Sequence, residues 1–126
     1  MATISLGKAP KNFKKIVSVP MHDGTNGAVE CLFKYRTATE YGDLVDRMNA
    51  TPTMSLDPDN QDLLGQQLRV KTRRNAEFLL EVLDGWNLDV SLTLDAAVQL
   101  CDELPGAADE IFEVYRRATV EGRLGN

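Results

Sequence analysis

The side chains that could do acid–base, nucleophilic or metal chemistry are few and far apart in this chain of 126 residues. His22, the only histidine, precedes Asp23, and such a pair could supply a general base. No nucleophile lies nearby in sequence. Cys31 and Cys101 both lie in apolar patterns that are typical of small core residues rather than reactive thiols. One histidine and two distant cysteines do not give the spacing of a zinc site. The sequence therefore predicts no enzyme and no metal or cofactor site.

Charged residues form two local clusters. The carboxylates of the last third fall mostly opposite the apolar stripes of predicted helices: Asp102, Glu103, Asp109, Glu110 and Glu113. They are interpreted as a solvated helix face or as a docking surface for a basic partner. A basic run comprises Arg69, Lys71, Arg73 and Arg74. Since no aromatic residues are interleaved with this run, we interpret it as solvated or as forming salt bridges between subunits.

The overall charge is negative and unevenly distributed. The formal net charge is −5, with residues 1–36 at +4, residues 37–74 at −1 and residues 75–126 at −8. A net acidic chain argues against a non-specific nucleic-acid binder. The basic head and the acidic tail are solvated faces, or they attract each other within one chain or between copies. Neither a membrane helix of roughly 20 apolar residues nor a secretory signal is evident, so we expect a cytoplasmic protein.

A β-hairpin is predicted near the amino terminus. β-Branched residues favour a strand from Phe13 to Val19, and alternating apolar and polar residues favour a second strand from Val29 to Tyr35. The turn residues between them predict a hairpin loop longer than two residues. A lone hairpin is marginal in water, so its apolar face must pack on the remainder of the chain.

Helical periodicity begins after the hairpin. Thr37 and Glu40 have the spacing of a capping box, and apolar residues follow at helical intervals up to Met48. Two prolines and several small polar residues predict a loop over residues 49–60.

The next helix is expected to begin at residue 59 or 61 and to reach residue 83. Its apolar stripe is clearest at Leu79, Val82, Leu83 and Trp86. Asp84–Gly85 is the predicted helix stop. The pattern leaves open whether this segment is one helix or two helices broken near Arg74.

The last third predicts two short helices that meet at a tight corner. Thr93 is a candidate N-cap of the first helix, and Pro105–Gly106 ends it and can open the next. We therefore predict one domain with an α+β, mostly α fold. It comprises a loose arm over residues 1–11, a β-hairpin over 12–36, a helical part over 37–121 with an αα corner at Pro105–Gly106, and a frayed end over 122–126.

Several segments of the chain also resemble a known family. The motif runs through Trp86-Asn87-Leu88-Asp89, then Leu92-Thr93, then LCDELPGAADEIFEVYRRA from Leu100 to Ala118. Its most specific parts are Pro105-Gly106-Ala107-Ala108 and Ile111-Phe112-Glu113-Val114-Tyr115. Phe33-Lys34-Tyr35-Arg36-Thr37 is similar to the family's strand that enters the first helix. The family that these motifs resemble is the tail assembly chaperones of long-tailed bacteriophages.

This resemblance implies a mostly helical scaffold with a β-hairpin and no catalytic residues. It also implies binding to the tape measure protein, which such chaperones coat before the tail tube polymerises around it, and recruitment of tail tube subunits. A homo-oligomer, a location in the host cytoplasm and absence from the mature virion are expected with that role. No small-molecule substrate, cofactor, nucleic acid or membrane partner is expected.

Candidate partner or assembly contacts come from the apolar stripes and the basic run: Trp86, Leu104, Phe112, Tyr115, Arg73 and Arg74. The four apolar and aromatic members also fit core positions. Two other functions stay open. One is a small structural tail or head–tail joining protein, and the other is a nucleic-acid-binding regulator suggested by the basic run.

Overall fold

The computed structural model describes residues 2–50, 59 and 63–125. Within these ranges the chain forms four helices and one three-stranded antiparallel sheet, which confirms the α+β, mostly α prediction. In chain order the elements are β1 (Asn12–Pro20), β2 (Asn26–Lys34), α1 (Ala38–Ala50), α2 (Leu63–Val82), β3 (Leu83–Trp86), α3 (Leu94–Glu103) and α4 (Ala107–Glu121). Across these described residues, no helix is both long and apolar enough to span a membrane.

The predicted hairpin forms the first two strands of the sheet. Its register sets Phe13 opposite Phe33 and Val17 opposite Val29. Because side chains alternate along a strand, these residues share one face, where all four are buried. The helices cover that face, with α4 against β1 and α2 against β2 and β3. On the outer face Ile16 stays 66% exposed.

A third strand replaces the predicted end of the second helix. The assignment of Leu83 and Trp86 to a helical stripe is wrong, and so is the helix stop at Asp84–Gly85. α2 ends at Val82, and β3 follows at once and pairs antiparallel with β2. Four residues are too few to show strand alternation, and β3 forms because the second edge of β2 is available for pairing, which local spacing does not reveal.

Two other predicted boundaries in the first half shift. β2 ends at Lys34 rather than Tyr35, although the Tyr35 N–H still donates to Lys11 O at 3.1 Å. α1 continues to Ala50, so the predicted loop does not begin at residue 49. Residues 51–58 and 60–62, which hold most of that loop and the predicted start of the next helix, lie outside the described part. Where α2 is described it is one helix, which settles the question of a break near Arg74.

The αα corner lies where the sequence predicted it. α3 ends at the C-cap Leu104, whose N–H donates to Leu100 O at 2.9 Å. The prediction that Pro105 opens the next helix is wrong, since α4 begins at Ala107 with Gly106 as its N-cap. Both Pro105 and Gly106 lie in the turn between the two helices.

Helix caps predicted from spacing are confirmed. Thr37 and Glu40 form the reciprocal capping box, with Glu40 N–H to Thr37 Oγ1 at 3.2 Å and Thr37 N–H to Glu40 Oε1 at 2.9 Å. Thr93 Oγ1 accepts from the Ala96 N–H at 3.1 Å and so caps α3. The loose arm, the frayed end and the single domain stay predictions.

Candidate functional site

The His22–Asp23 pair lies in the exposed hairpin loop. The Asp23 carboxylate accepts from the Thr25 hydroxyl at 2.6 Å and from the Thr25 N–H at 3.0 Å. These hydrogen bonds lower the pKa of Asp23. The carboxylate therefore stabilises the loop.

Both cysteines are buried in the core, as predicted. Burial raises the pKa of Cys31 to about 12 and that of Cys101 to about 11. Thiolates are the reactive form of cysteine, so these side chains act as small apolar groups. Among the residues that the structure describes, no cluster of three histidine, cysteine or acidic side chains could hold a metal ion.

An apolar groove runs between α1 and α4. We call it the α1–α4 groove, and its volume is about 210 Å³. Its lining residues are Tyr41, Leu44, Val45, Met48, Asn49, Val82, Phe112 and Tyr115. Two of the predicted contact residues, Phe112 and Tyr115, therefore lie in one groove.

The floor of the α1–α4 groove is an aromatic cluster. Tyr115 is 1% exposed and stacks on Phe33 with ring centroids 5.3 Å apart and on Phe13 at 6.1 Å. The Tyr41 ring meets it edge-on at 5.9 Å. Offset and edge-on aromatic pairs add to the stability that burial provides. Tyr115 is thus a fixed core residue under the groove, whereas Phe112 is half-buried and borders it.

Guanidinium groups join α1, and the segment before it, to α2. The Arg74 guanidinium donates to the backbone oxygen of Met48, a lining residue. Arg47 pairs with Glu81 at 2.9 Å, and Arg36 approaches the same carboxylate at 3.6 Å. The hydrogen bond from Arg47 is the main cause of the lowered pKa of Glu81. These contacts fix the carboxyl end of α1 against α2.

A second pocket of about 190 Å³ lies between α3 and the segment that follows β3. We call it the Trp86–Leu104 pocket, after the two predicted residues that line it. Its other lining residues are Leu88, Asp89, Val90, Ala96, Gln99, Leu100 and Glu103. The Trp86 Nε1–H donates to Val90 O at 2.6 Å and closes this segment into a turn. The charged residues in this described lining, Asp89 and Glu103, are both acidic.

The six predicted contacts thus fall in three places. Trp86 and Leu104 share one pocket, and Phe112 and Tyr115 share the α1–α4 groove. Arg74 binds the groove wall, whereas Arg73 is exposed and pairs with Glu77 at 3.2 Å.

In both cavities, the sequence did not predict the wall that faces the predicted contact residues. The α1 wall, which includes Tyr41, Val45 and Met48, was visible as an apolar stripe. Its spacing does not show that this stripe stays half-covered after folding. The Leu88 and Val90 wall of the second pocket gave no periodic signal, because it lies in irregular structure.

Comparison with known families agrees with the resemblance of the sequence motifs. A family model described as phage tail assembly chaperone matches residues 1–126. The search of curated proteins and the search of solved structures gave no match. Because the family match covers the whole chain, this chain belongs to the phage tail assembly chaperones.

Proposed function

We propose that this chaperone binds the tape measure protein of its phage, keeps it soluble before the tail tube forms, and helps to recruit tail tube subunits. Family membership indicates protein partners in tail assembly and a chaperone role. The observation that carries the proposal is the α1–α4 groove, because an amphipathic helix buries its apolar stripe in such a groove.

The walls of the groove differ in how firmly they are held. Tyr115 is fixed by its ring contacts, which gives the groove a rigid floor. Met48 and Val45 on α1 are only half-buried, and methionine adapts its shape to irregular partners. A chaperone that covers a long protein meets many different side chains in turn. An adaptable wall above a rigid floor suits that task.

The outer surface supports solubility of the complex. Asp102, Glu103, Asp109 and Glu110 are all exposed around the αα corner. The net charge of −5 gives each copy the same sign, and like charges on complexes oppose aggregation. We further propose that the chaperone acts as a homo-oligomer in the host cytoplasm and is absent from the mature virion.

Co-expression with the tape measure protein encoded beside it tests the binding proposal. We expect a soluble stoichiometric complex with the native chain. Val45→Glu with Met48→Glu should abolish it, because two charges in the groove must be desolvated when a helix docks. The control is Val120→Glu on α4, which changes a side chain that is 61% exposed. Circular dichroism confirms that each variant is folded.

Two results would contradict this proposal in different ways. A tape measure protein that precipitates beside the native chain would overturn the chaperone assignment to that partner. A groove variant that still forms the complex would move the binding site elsewhere on the chain. Mass spectrometry of purified particles then tests the alternative function, because stoichiometric amounts in virions would favour a small structural tail or head–tail joining protein.

A further inference from the structure

We propose that copies of this chaperone join head to tail, with the first turns of α2 of one copy docked in the Trp86–Leu104 pocket of the next. This inference rests on the homo-oligomer in the proposed function and names its interface. It joins two surfaces of unlike chemistry, each of which is exposed in the single chain.

The first surface is a continuation of the core-facing side of α2. The buried residues of this helix begin only at Ala76 and include Leu79. At 3.6 residues per turn, the same side of the helix carries Leu68 and Leu64 towards the amino terminus. These two leucines are 53% and 67% exposed. We call them the α2 leucine stripe, which extends beyond the core formed by the described residues.

Basic residues flank the α2 leucine stripe. Lys71 follows Leu68 by three residues and Leu64 by seven, so it adjoins the stripe on the helix surface. Arg69 lies on the other side of the stripe, and both cations are exposed. A partner surface should therefore be apolar at its centre and acidic at its rim.

The Trp86–Leu104 pocket meets both requirements. Its lining is mostly apolar, and Val90 in that lining is 47% exposed. Asp89 and Glu103 are its two acidic lining residues, and both are exposed. Its volume of about 190 Å³ exceeds the roughly 150 Å³ of an apolar cavity that accepts benzene, so a leucine side chain can enter.

The charges favour contact between unlike surfaces over pairing of two like surfaces. Two leucine stripes that faced each other would bring the Arg69 and Lys71 side chains of both copies together. Two facing pockets would likewise bring Asp89 and Glu103 of both copies together. Like charges that face each other across an interface oppose association. A stripe-to-pocket contact leaves one free stripe and one free pocket, so it propagates into a ring or a helical filament.

Sedimentation of the full chain tests this interface with two double variants. Leu64→Asn/Leu68→Asn removes the stripe without adding charge, and Val90→Lys/Glu103→Lys removes the pocket. We expect native oligomers that weaken at high salt, and monomers for each variant alone. An equimolar mixture should form dimers only, because it holds one intact stripe and one intact pocket per pair. The Val120→Glu control should sediment like the native chain.

Three results would overturn the interface. These are a native chain that sediments as a monomer, a pocket variant that still self-associates, and a mixture that remains monomeric although both variants are folded by circular dichroism. The test is independent of tape measure binding. A monomeric native chain that still dissolves the tape measure protein would refute this interface and leave the proposed binding in place.

Discussion

The Tyr115 hydroxyl donates a hydrogen bond of 2.8 Å to the backbone oxygen of Lys34, 81 residues earlier in the chain. The same hydroxyl accepts from Arg36 Nη1 at 3.1 Å, and Arg36 reaches on to Glu81. Glu81 also holds Arg47. One chain of polar contacts therefore joins the end of β2 to α4, α2 and α1. Tyr115, on the floor of the α1–α4 groove, is one of its members.

Removal of this hydroxyl should destabilise the fold without reshaping the core. Tyr115→Phe keeps the ring but removes the donor to the Lys34 carbonyl and the acceptor of Arg36 Nη1, while Arg36 Nη2 keeps its ion pair with Glu81. We expect the free energy of unfolding, measured by urea denaturation, to fall by about 1–3 kcal/mol. The control is Tyr35→Phe at a half-buried tyrosine whose hydroxyl makes no hydrogen bond within the described residues, and it should change by less than about 0.5 kcal/mol. Equal losses in both variants would refute the role of the network.

The N-cap of α3 makes a second stability prediction. Thr93→Ala removes the oxygen that accepts the Ala96 N–H at the start of α3, a helix of only ten residues. Thermal unfolding should give a loss of about 1 kcal/mol. Thr93→Ser keeps a hydroxyl at this position and should restore most of it. If serine behaves like alanine, the contribution of Thr93 comes from its methyl group instead.

The cysteines should be unreactive in the folded protein. At about pH 8 a free thiol is partly ionised, but burial raises the pKa of Cys31 to about 12 and of Cys101 to about 11. A thiol reagent should therefore label the native protein far more slowly than a small free thiol, and should label both residues once urea unfolds it. Rapid labelling of either cysteine in the native protein would show that its side chain opens to solvent.

Acid should remove a contribution that Glu113 makes to stability. Hydrogen bonds and charge from Arg116, and then from Arg117, lower the pKa of Glu113 to about 2 from 4.5. Because the folded pKa is depressed, the contribution is complete above pH 4.5 and is lost as the pH falls towards 2. The carboxylate is solvent-exposed, so the effect should be small.

Melting temperatures measured from pH 6 to pH 2 check this sign. The native protein should exceed Glu113→Gln above pH 4.5, and the two curves should converge as the pH approaches 2. Glu110→Gln, on the exposed side of the same helix, controls for the loss of one negative charge. A gap that widens in acid would contradict the predicted direction.

Features that depend on neighbouring residues could be predicted from the sequence. The capping box at Thr37, the N-cap at Thr93 and the corner at Pro105–Gly106 depend on residues within a few positions of each other. The hairpin was equally readable, since Phe33 and its neighbours alternate between two faces. These features indicated the start of α1, both ends of α3 and the first two strands.

Pairing between segments that are far apart in the chain could not be predicted from the sequence. β3 exists because β2 has a second edge, and nothing near Leu83 in the sequence carries that information. The α1–α4 groove has the same origin: Tyr41 and Phe112 each belong to a visible stripe, but only packing decides that the stripes leave a gap. The sequence could therefore offer Tyr115 and Trp86 as candidate contacts, but it could not show which residues pack against them.

The order of the strands along the chain also determines when, during synthesis, the sheet can be completed. β2 is central in the sheet, yet its partner β3 is translated only after α1 and α2. Until Trp86 leaves the ribosome, the edge of β2 that β3 covers in the finished sheet is open in the nascent hairpin, and open edges recruit other strands. Pairing between distant segments is also slow. A chaperone that guards another protein during assembly is thus itself vulnerable to misassembly until most of its own chain has been made.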